Sequence, residues 1–354
     1  MTDDVAVVGG GAIGFAVAWR CAQRGMRVAV YDPAPGSGAS SVAAGMLAPV
    51  SEAYFGEPEL TALMVASAGL WPAFAKELAA FGDVGYRTDG TLVAALTADD
   101  AAAAARLWRY QASLGLPAEE LSAEQMREAE PVLHPRVRRG ARLGDHQADS
   151  RRLVAALRTA AEAAGVRVVA QRVDSLSEVD ASVTVVAAGT ASAGLTGLPV
   201  RPVKGELLRL RAPEGEPGFR HVIRGYADGR RVYVVPRTDG EVVVGATEQE
   251  RTDVVPTAGG VLDLLRAATD LVPELSEYAL AEVGVGHRPG TPDNAPIVGT
   301  WRDGVVVATG HYRHGILLTP VTADAVAELI ATGEVPRVVA PFSPSRFTEE
   351  GEQV

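Results

Sequence analysis

Apolar and polar positions at the start of the chain follow the pattern of a βαβ unit. A short apolar run, Val5 to Val8, precedes three glycines, and an apolar pattern with helical spacing runs from Ile13 to about Gly25. A second short apolar run extends from Arg27 to Tyr31. Strand, glycine turn, helix and strand within about 30 residues begin a doubly wound α/β sheet.

Farther along the chain the pattern alternates between helical and strand-like segments. The spacing predicts helices over 59–82, 99–115, 151–164 and 315–332, and strands over 166–170, 183–188 and 305–309. From about Arg201 short strand-like segments dominate: 207–210, 231–235 and 241–244. Asp239-Gly240 joins the last two, and Asp-Gly between apolar runs indicates a hairpin.

An antiparallel sheet is therefore predicted between two stretches of α/β pattern, which requires interleaved domains. We predict an α/β protein in which a Rossmann-like dinucleotide-binding domain (1–82, 142–200 and 283–340) is interleaved with a smaller α+β domain. The smaller domain comprises 83–141 and 201–282 and is built on the antiparallel sheet. Residues 341–354 are expected to form a loose tail.

Composition excludes several classes of function. Of the 354 residues, 47% are hydrophobic and 22% charged, which is typical of a soluble globular protein. A net charge of -11 argues against a nucleic-acid partner, because phosphate binding needs clustered cations. The single cysteine, Cys21, cannot form an intramolecular disulfide. The acidic start and the lack of an apolar run near about 20 residues predict a cytoplasmic protein without a membrane span.

The first glycines form a dinucleotide-binding motif, Gly9-x-Gly11-x-x-Gly14. Gly9 permits the tight turn, Gly11 lets the backbone approach a pyrophosphate, and Gly14 lets the helix pack on the strand. Asp32, at the end of the next strand, is placed to bind ribose hydroxyls. This motif alone does not separate NAD from FAD.

The segment from Gly38 to Pro49 consists mainly of small residues, which let backbone amides approach a flat ring system. It resembles the flavin loop of the FAD-dependent D-amino-acid oxidase family, and of its glycine oxidase branch in particular. Three further regions carry the same resemblance, in the same order along the chain: 202–206, 233–237 with 244–247, and 286–296 paired with 310–320.

The resemblance assigns the cofactor and the substrate ligands. It implies noncovalent FAD in the first domain and substrate in the second, with Arg288, Arg313 and Tyr233 binding the substrate carboxylate. The predicted FAD site, taken together with the glycine motif, comprises Gly9, Gly11, Ala12, Ile13, Gly14, Asp32, Pro33, Ser40, Ser41, Ala44, Gly45, Met46, Val173, Gly189, His311, Tyr312, Arg313, His314, Gly315, Ile316 and Leu317.

These positions also have a physical rationale. A planar guanidinium at Arg288 can hold a carboxylate through two parallel hydrogen bonds. A helix beginning at Gly315 would stabilise negative charge on a reduced flavin. The three histidines 287, 311 and 314 show no metal-ligand spacing, so no metal is expected. Two departures from the family pattern are Asp32, where many relatives have glutamate, and His314, where asparagine is common.

The implied reaction is hydride transfer from the α-carbon of a neutral amine to flavin. Dioxygen then yields hydrogen peroxide, and the imine hydrolyses to a 2-oxo acid and ammonia. Glycine would give iminoacetate, which in this family can supply the thiazole branch of thiamin synthesis. Sarcosine, small D-amino acids and D-proline are alternative substrates. An NAD-dependent dehydrogenase, and a flavoprotein that passes electrons to a carrier or scaffolds a partner, are alternatives from other classes. Family members often form homotetramers, which makes an oligomer an open possibility.

Overall fold

The computed structural model describes residues 2–213, 215, 217–227 and 229–347. The strands are β1 Asp3–Val8, β2 Val28–Tyr31, β3 Met46–Leu47, β4 Thr91–Ala95, β5 Glu119–Ser122, β6 Arg139–Leu143, β7 His146–Gln147, β8 Arg167–Val169, β9 Ala181–Val186, β10 Arg201–Arg211, β11 Val222–Ala227, β12 Arg230–Pro236, β13 Glu241–Gly245, β14 Ala279–Gly290, β15 Ile297–Arg302 and β16 Val305–Thr309. The helices are α1 Ala12–Gln23, α2 Pro58–Leu78, α3 Ala98–Ser113, α4 Ala123–Ala129, α5 Ser150–Ala163, α6 Ser192–Thr196, α7 Ala258–Leu271 and α8 Thr319–Thr332.

A six-stranded sheet carries the predicted βαβ unit. Its strand order is β15-β16-β9-β1-β2-β8, and all neighbours are parallel except the edge pair β15–β16. The residues of β1 from Val5 to Val8 are buried: long helices pack on one face of the sheet, and the segment around Leu198 and Val200 packs against Val186 and Val307 of the same sheet. The main core joins this sheet to α1, α2, α5 and α8, and its largest side chains include Trp19, Trp71, Phe15 and Phe74. The predicted Rossmann-like layer is confirmed.

The second sheet has eight strands in the order β14-β10-β13-β12-β11-β4-β6-β5. Neighbouring strands are antiparallel apart from β11 and β4, which run parallel. Helix α7 covers one face, with Leu264 and Leu271 in the core. On the other face Leu207, Val235 and Val243 pack against Ala44 of the flavin-loop segment. This predicted antiparallel sheet therefore lies directly against the part of the chain expected to hold the cofactor.

The helix predicted over 315–332 begins later, at Thr319. Pro320 has no N–H to donate to the carbonyl of Ile316, and its ring crowds that carbonyl, so this proline disfavours a helix that starts upstream and favours the first turn of one that starts here. Residues 315–318 form turns instead. The expectation that Gly315 opens a helix was wrong.

Two other expectations differ from the structure. The predicted boundary between 282 and 283 lies inside β14, which continues pairing with β10 as far as Gly290. The tail expected to be loose is packed at its beginning: Phe342 is 3% exposed, and Arg346 forms an ion pair with Asp293 at 2.8 Å. Residues 348–354 lie outside the described part of the chain. No helix in the described residues is long and apolar enough to cross a membrane.

Candidate active site

A cavity of about 640 Å³ lies where the two sheets meet. The residues after the carboxyl ends of β1, β2 and β9 line one half, as expected for a ligand site in an open α/β sheet. Leu207, Tyr233 and Arg288, from the eight-stranded sheet, line the other half. The cavity is thus a long cleft shared by both sheets.

The beginning of α1 forms one end of the cleft. Gly9 has a φ of +114°, and a Cβ there would overlap the backbone of Ala187. A Cβ at Gly14 would overlap the carbonyl oxygen of Gly9, so this glycine allows the helix to pack on the turn. Gly11, the N-cap, provides no side-chain cap, and the first turn holds no acidic residue. The helix N-terminus therefore keeps N–H groups and a partial positive charge for a pyrophosphate.

Asp32 is fixed beside this turn. Its carboxylate oxygens accept hydrogen bonds from the N–H groups of Gly10 at 2.7 Å and Ala34 at 2.8 Å. A carboxylate has further lone pairs, which here can accept from ribose hydroxyls. Val173, 9% exposed, lines the same cavity.

The flavin-loop segment is held by contacts to Arg237, which follows β12, and to the residue after β7, the short strand that pairs with β3. Gly45 has a φ of +77°, and a Cβ there would overlap the carbonyl oxygen of Ala148. Arg237, 5% exposed, donates to the carbonyl oxygen of Ala44 and to Gln147 Oε1, the latter at 3.0 Å. Because Arg237 belongs to the 233–237 region, the segments that carry the family resemblance also contact one another.

The loop between β16 and α8 lines another part of the cleft. Tyr312 has a left-handed φ of +46°, which a non-glycine residue adopts at a cost of about 1–3 kcal/mol. Its N–H donates to the carbonyl oxygen of Pro289 at 3.1 Å, and its hydroxyl donates to Glu248 at 2.8 Å. Burial, together with the hydrogen bond and charge of Glu248, raises the pKa of Tyr312 to about 12. The tyrosine is therefore a neutral hydrogen-bond donor at ordinary pH.

Two histidines of this loop are uncharged. Burial, with the nearby His314, lowers the pKa of His311 to about 3. Burial also lowers the pKa of His314 to about 4, although the carboxylate of Glu52 opposes the shift. His311 shares a hydrogen bond of 3.0 Å with Thr322 Oγ1. Neither imidazole adds positive charge near neutral pH, which suits packing and neutral hydrogen bonding.

Arg288 is a half-buried cation in the wall of the cleft. Its Nη1 donates to the carbonyl oxygen of Thr247 at 3.1 Å, and none of its contacts among the described residues is with a carboxylate. The guanidinium lies close against the backbone of Gly205, where a Cβ would be 2.6–2.8 Å from three of its atoms. Its remaining N–H groups are available to an incoming anion.

Tyr233 also packs against a glycine of the neighbouring strand, as Arg288 does against Gly205. Its register partner is Gly245, and a Cβ at that position would be 2.6 Å from the ring Cζ. Burial raises the pKa of the phenol while the charge of Arg288 opposes that shift, which places the two side chains within electrostatic reach. Arg288 and Tyr233 together present a cation and a hydroxyl to the same space.

Arg313 differs from Arg288 because it has a carboxylate partner. Its Nε is 3.8 Å from Glu52 Oε2, and Arg224 Nη1 is 2.6 Å from Glu52 Oε1. Burial would raise the pKa of Glu52, but the charges of Arg224 and Arg313 outweigh it and lower the pKa to about 2. Arg313 is therefore partly neutralised in this arrangement.

The structure brings most of the predicted residues together. The lining of the cleft includes Gly9, Gly11, Ala12, Ile13, Asp32, Pro33, Ser40, Ala44, Gly45, Met46, Val173, Gly189, Tyr233, Arg288, His311, Tyr312, Arg313, Gly315 and Ile316.

Four predicted residues do not line the cleft. Gly14 acts through helix packing, as described above. The Ser41 hydroxyl donates to the carbonyl oxygen of Gly38 at 2.8 Å. Leu317 is 2% exposed, and its carbonyl oxygen accepts from Trp71 at 2.8 Å. His314 is 3% exposed, in the electrostatic field of Glu52.

Sequence reasoning missed other residues near the site. Glu206 lines the cleft although it is fully buried, and it accepts from the N–H of Thr257 at 2.9 Å. The Glu52–Arg224 pair joins positions far apart in the chain. Glu206 lay inside a region that resembled the family, which was a usable signal, whereas no local motif marks Glu52 or Arg224.

Comparison with known proteins gives a consistent result. The family model DAO, FAD dependent oxidoreductase, matches residues 4–329. Glycine oxidase from Geobacillus kaustophilus (strain HTA426) is 37% identical, over 97% of this chain and 97% of its own. The bifunctional protein ThiO/ThiG of Synechocystis sp. is 35% identical, over 98% of this chain and 54% of its own. A crystal structure of glycine oxidase from Geobacillus kaustophilus matches with a TM-score of 0.90 and 35% identity, covering 97% and 98% of the two chains.

Proposed function

Because the chain belongs to the DAO family of FAD-dependent oxidoreductases, we propose that it oxidises glycine to the imine, which hydrolyses to glyoxylate and ammonia, with dioxygen reduced to hydrogen peroxide. The family and the FAD cofactor expected from the sequence are confirmed by the match. The observation that carries the choice of an amino-acid substrate is Arg288, a cation in the cleft with no carboxylate partner among the described residues.

The residues of the cleft fit FAD. Gly11 has no side chain to cap the helix, and although Ser40 Oγ accepts from the N–H of Ala12 at 3.2 Å, the next N–H groups of the first turn remain for a pyrophosphate. Asp32 is oriented for ribose hydroxyls. Small residues, among them Ala44 and Gly45, leave space for a flat ring. When bound, FAD supplies the acceptor for the substrate hydride and the site at which dioxygen is reduced.

The protein residues bind and orient the substrate. We propose that Arg288 holds the substrate carboxylate through two hydrogen bonds and that the Tyr233 hydroxyl donates a third. Arg313, at the same junction, adds positive charge that is partly offset by Glu52. A positive surrounding disfavours the substrate ammonium, so it promotes the neutral amine that hydride transfer requires. No protein base is needed for this step.

The peroxide assay tests the proposal. Purified holoenzyme is supplied in air with glycine, sarcosine, D-alanine and D-proline, and glycine is expected to give the highest kcat/KM. Arg288→Lys removes the two-point contact while keeping the charge, and it should raise KM for glycine at least about tenfold. Arg302→Lys, on the edge strand β15, is the matched control and should match the unmodified enzyme. Equal kinetics for Arg288→Lys and Arg302→Lys would refute the substrate clamp.

Flavin reduction separates an oxidase from an electron-transfer flavoprotein. An oxidase consumes dioxygen and releases peroxide in proportion to substrate. Reduction of bound flavin by glycine without peroxide release would favour the carrier alternative.

The biological setting is also part of the proposal. The likeness to a protein named ThiO/ThiG supports a role in which iminoacetate from glycine supplies thiamin thiazole synthesis. We further propose a homotetramer in the cytoplasm, where the lone buried Cys21 remains reduced. Light scattering on the purified holoenzyme measures the oligomer, and a monomer would exclude it.

A further inference from the structure

A second, smaller cavity adjoins the cleft. It has a volume of about 160 Å³ and shares Tyr233, Ala246, Arg288 and Arg313 with the larger one. Beyond these four residues it is bounded by the segment after β3, by α3 and by the hairpin of β11 and β12. The smaller cavity has room for several waters on the far side of the proposed carboxylate clamp. Glycine has no side chain that could fill this space.

Positive charge dominates the polar lining of this smaller cavity. Its described lining residues include four arginines and two glutamates: Arg224, Arg231, Arg288, Arg313, Glu52 and Glu248. Arg224 and Arg313 are paired with Glu52, and Arg224 also interacts with the buried Asp145 outside the lining. Arg231 and Arg288 form no ion pair with a carboxylate in the described residues, and the carboxylate of a monocarboxylic substrate can pair with only one of them.

Arg231 is the lining arginine best suited to bind the second anion. Its guanidinium lies 5.6 Å from the ring centres of both Tyr54 and Tyr226, and no ion pair joins it to a carboxylate in the described part of the chain. It lies two residues from Tyr233 on the same face of β12, a separation of about 7 Å along the strand. Arg231 is an exposed residue, and the two rings attract its cation on the side next to Tyr233 and the proposed carboxylate clamp.

We propose that the smaller cavity is a second anion subsite and that Arg231 makes the enzyme prefer amines that carry two carboxylates. This inference rests on the proposed function for the first carboxylate and the oxidation. The chemistry is unchanged: the amine loses two electrons and two protons, dioxygen gains them as hydrogen peroxide, and water hydrolyses the C=N bond. Helix α3 contributes the apolar side chains of Leu107 and Trp108 to the lining. These apolar residues could instead favour a substrate with an uncharged side chain, and such a preference would contradict the proposal.

Binding of unreactive analogues tests the subsite without turnover. Diglycolate carries two carboxylates around an ether oxygen, and methoxyacetate is the same molecule with one carboxylate replaced by hydrogen. Calorimetric titration of the holoenzyme should show diglycolate binding at least about tenfold more tightly, the gain of a charge-assisted contact. Arg231→Gln should remove that preference, and the neighbouring Arg230→Gln, which does not line the cavity, should keep it. Equal affinities for the two analogues would overturn the proposal.

Kinetics then locate the second carboxylate on the substrate. Initial rates for iminodiacetate against sarcosine test an acid on the amine substituent, and D-aspartate against D-alanine tests an acid on the side chain. A preference of about tenfold in either pair, lost in Arg231→Gln, supports the subsite and assigns its geometry. Turnover of glycine without a dicarboxylate preference in either pair refutes the subsite alone. Absence of peroxide with every substrate refutes the proposed function, while the calorimetric comparison still decides the subsite.

Discussion

Replacing Gly205 by alanine should damage the substrate clamp while leaving the fold intact. A Cβ at this position would lie 2.6 Å from Nη1, 2.7 Å from Nη2 and 2.8 Å from Cζ of Arg288. Ordinary contact needs about 3.4–4 Å, so the guanidinium must shift by about 1 Å. The obstructing atoms belong to the end of a flexible side chain, so the unfolding free energy should change by less than about 1 kcal/mol.

The catalytic effect should be much larger than the effect on stability. A displacement of about 1 Å in a positioning group costs about 100-fold in rate, which equals about 2.7 kcal/mol of transition-state stabilisation. We expect kcat/KM for glycine to fall by about that factor in the peroxide assay. FAD content, read from flavin absorbance, should be unchanged because Arg288 contacts the substrate carboxylate in our proposal.

Gly69→Ala is the matched control for this experiment. Gly69 is exposed in α2, and a Cβ there meets nothing within 4 Å. The control should retain full kcat/KM. If kcat/KM of Gly205→Ala stays within threefold of the control, the absence of a side chain at position 205 does not determine where the Arg288 guanidinium lies.

Four further predictions follow from buried and exposed groups. Gly69→Ala should raise the unfolding free energy by about 1 kcal/mol, measured by denaturant titration, because alanine favours a helix interior; a decrease would contradict this. Lys204→Met should lower it by about 3–5 kcal/mol, since Lys204 and Glu206 are both fully buried and only 3.3 Å apart, and the carboxylate would lose its cation. The pKa of Glu52 is lowered from 4.5 to about 2, so its stabilising contribution is complete above pH 4.5 and is lost as the pH falls towards 2. The stability difference between the unmodified protein and Glu52→Gln should therefore shrink by about 2 kcal/mol between pH 5 and pH 3, and a difference independent of pH would exclude this ionisation. Burial raises the pKa of the Cys21 thiol to about 12, so the native protein should resist thiol reagents that label it in denaturant; rapid native labelling would contradict its burial.

Local chemistry explains what could be predicted from the sequence. Gly9, Gly14 and Asp32 act within a single βαβ unit, so their spacing is enough to predict the turn and the position of the Asp32 carboxylate beside it. The start of α8 was also predictable, because Pro320 stands in the sequence as a helix-start signal that outweighs Gly315.

The rest depends on contacts between distant segments. Arg224 meets Glu52 across more than 170 residues of chain, and Arg288 rests on Gly205 through the pairing of β14 with β10. No periodicity encodes such a pairing. The charged residues of the smaller cavity likewise come together only when the β11–β12 hairpin folds beside the segment after β3.

The cleft between the two sheets also has a consequence for biosynthesis. Its wall begins with Val8 and ends with Ile316, so the ribosome must deliver nearly the whole polypeptide before a complete FAD site can exist. Until then the glycine turn near the amino terminus has no opposite wall to close against. FAD should therefore bind late in the maturation of the protein. Shortened chains that stop before β16 should be purified without FAD and so without the yellow colour of oxidised flavin.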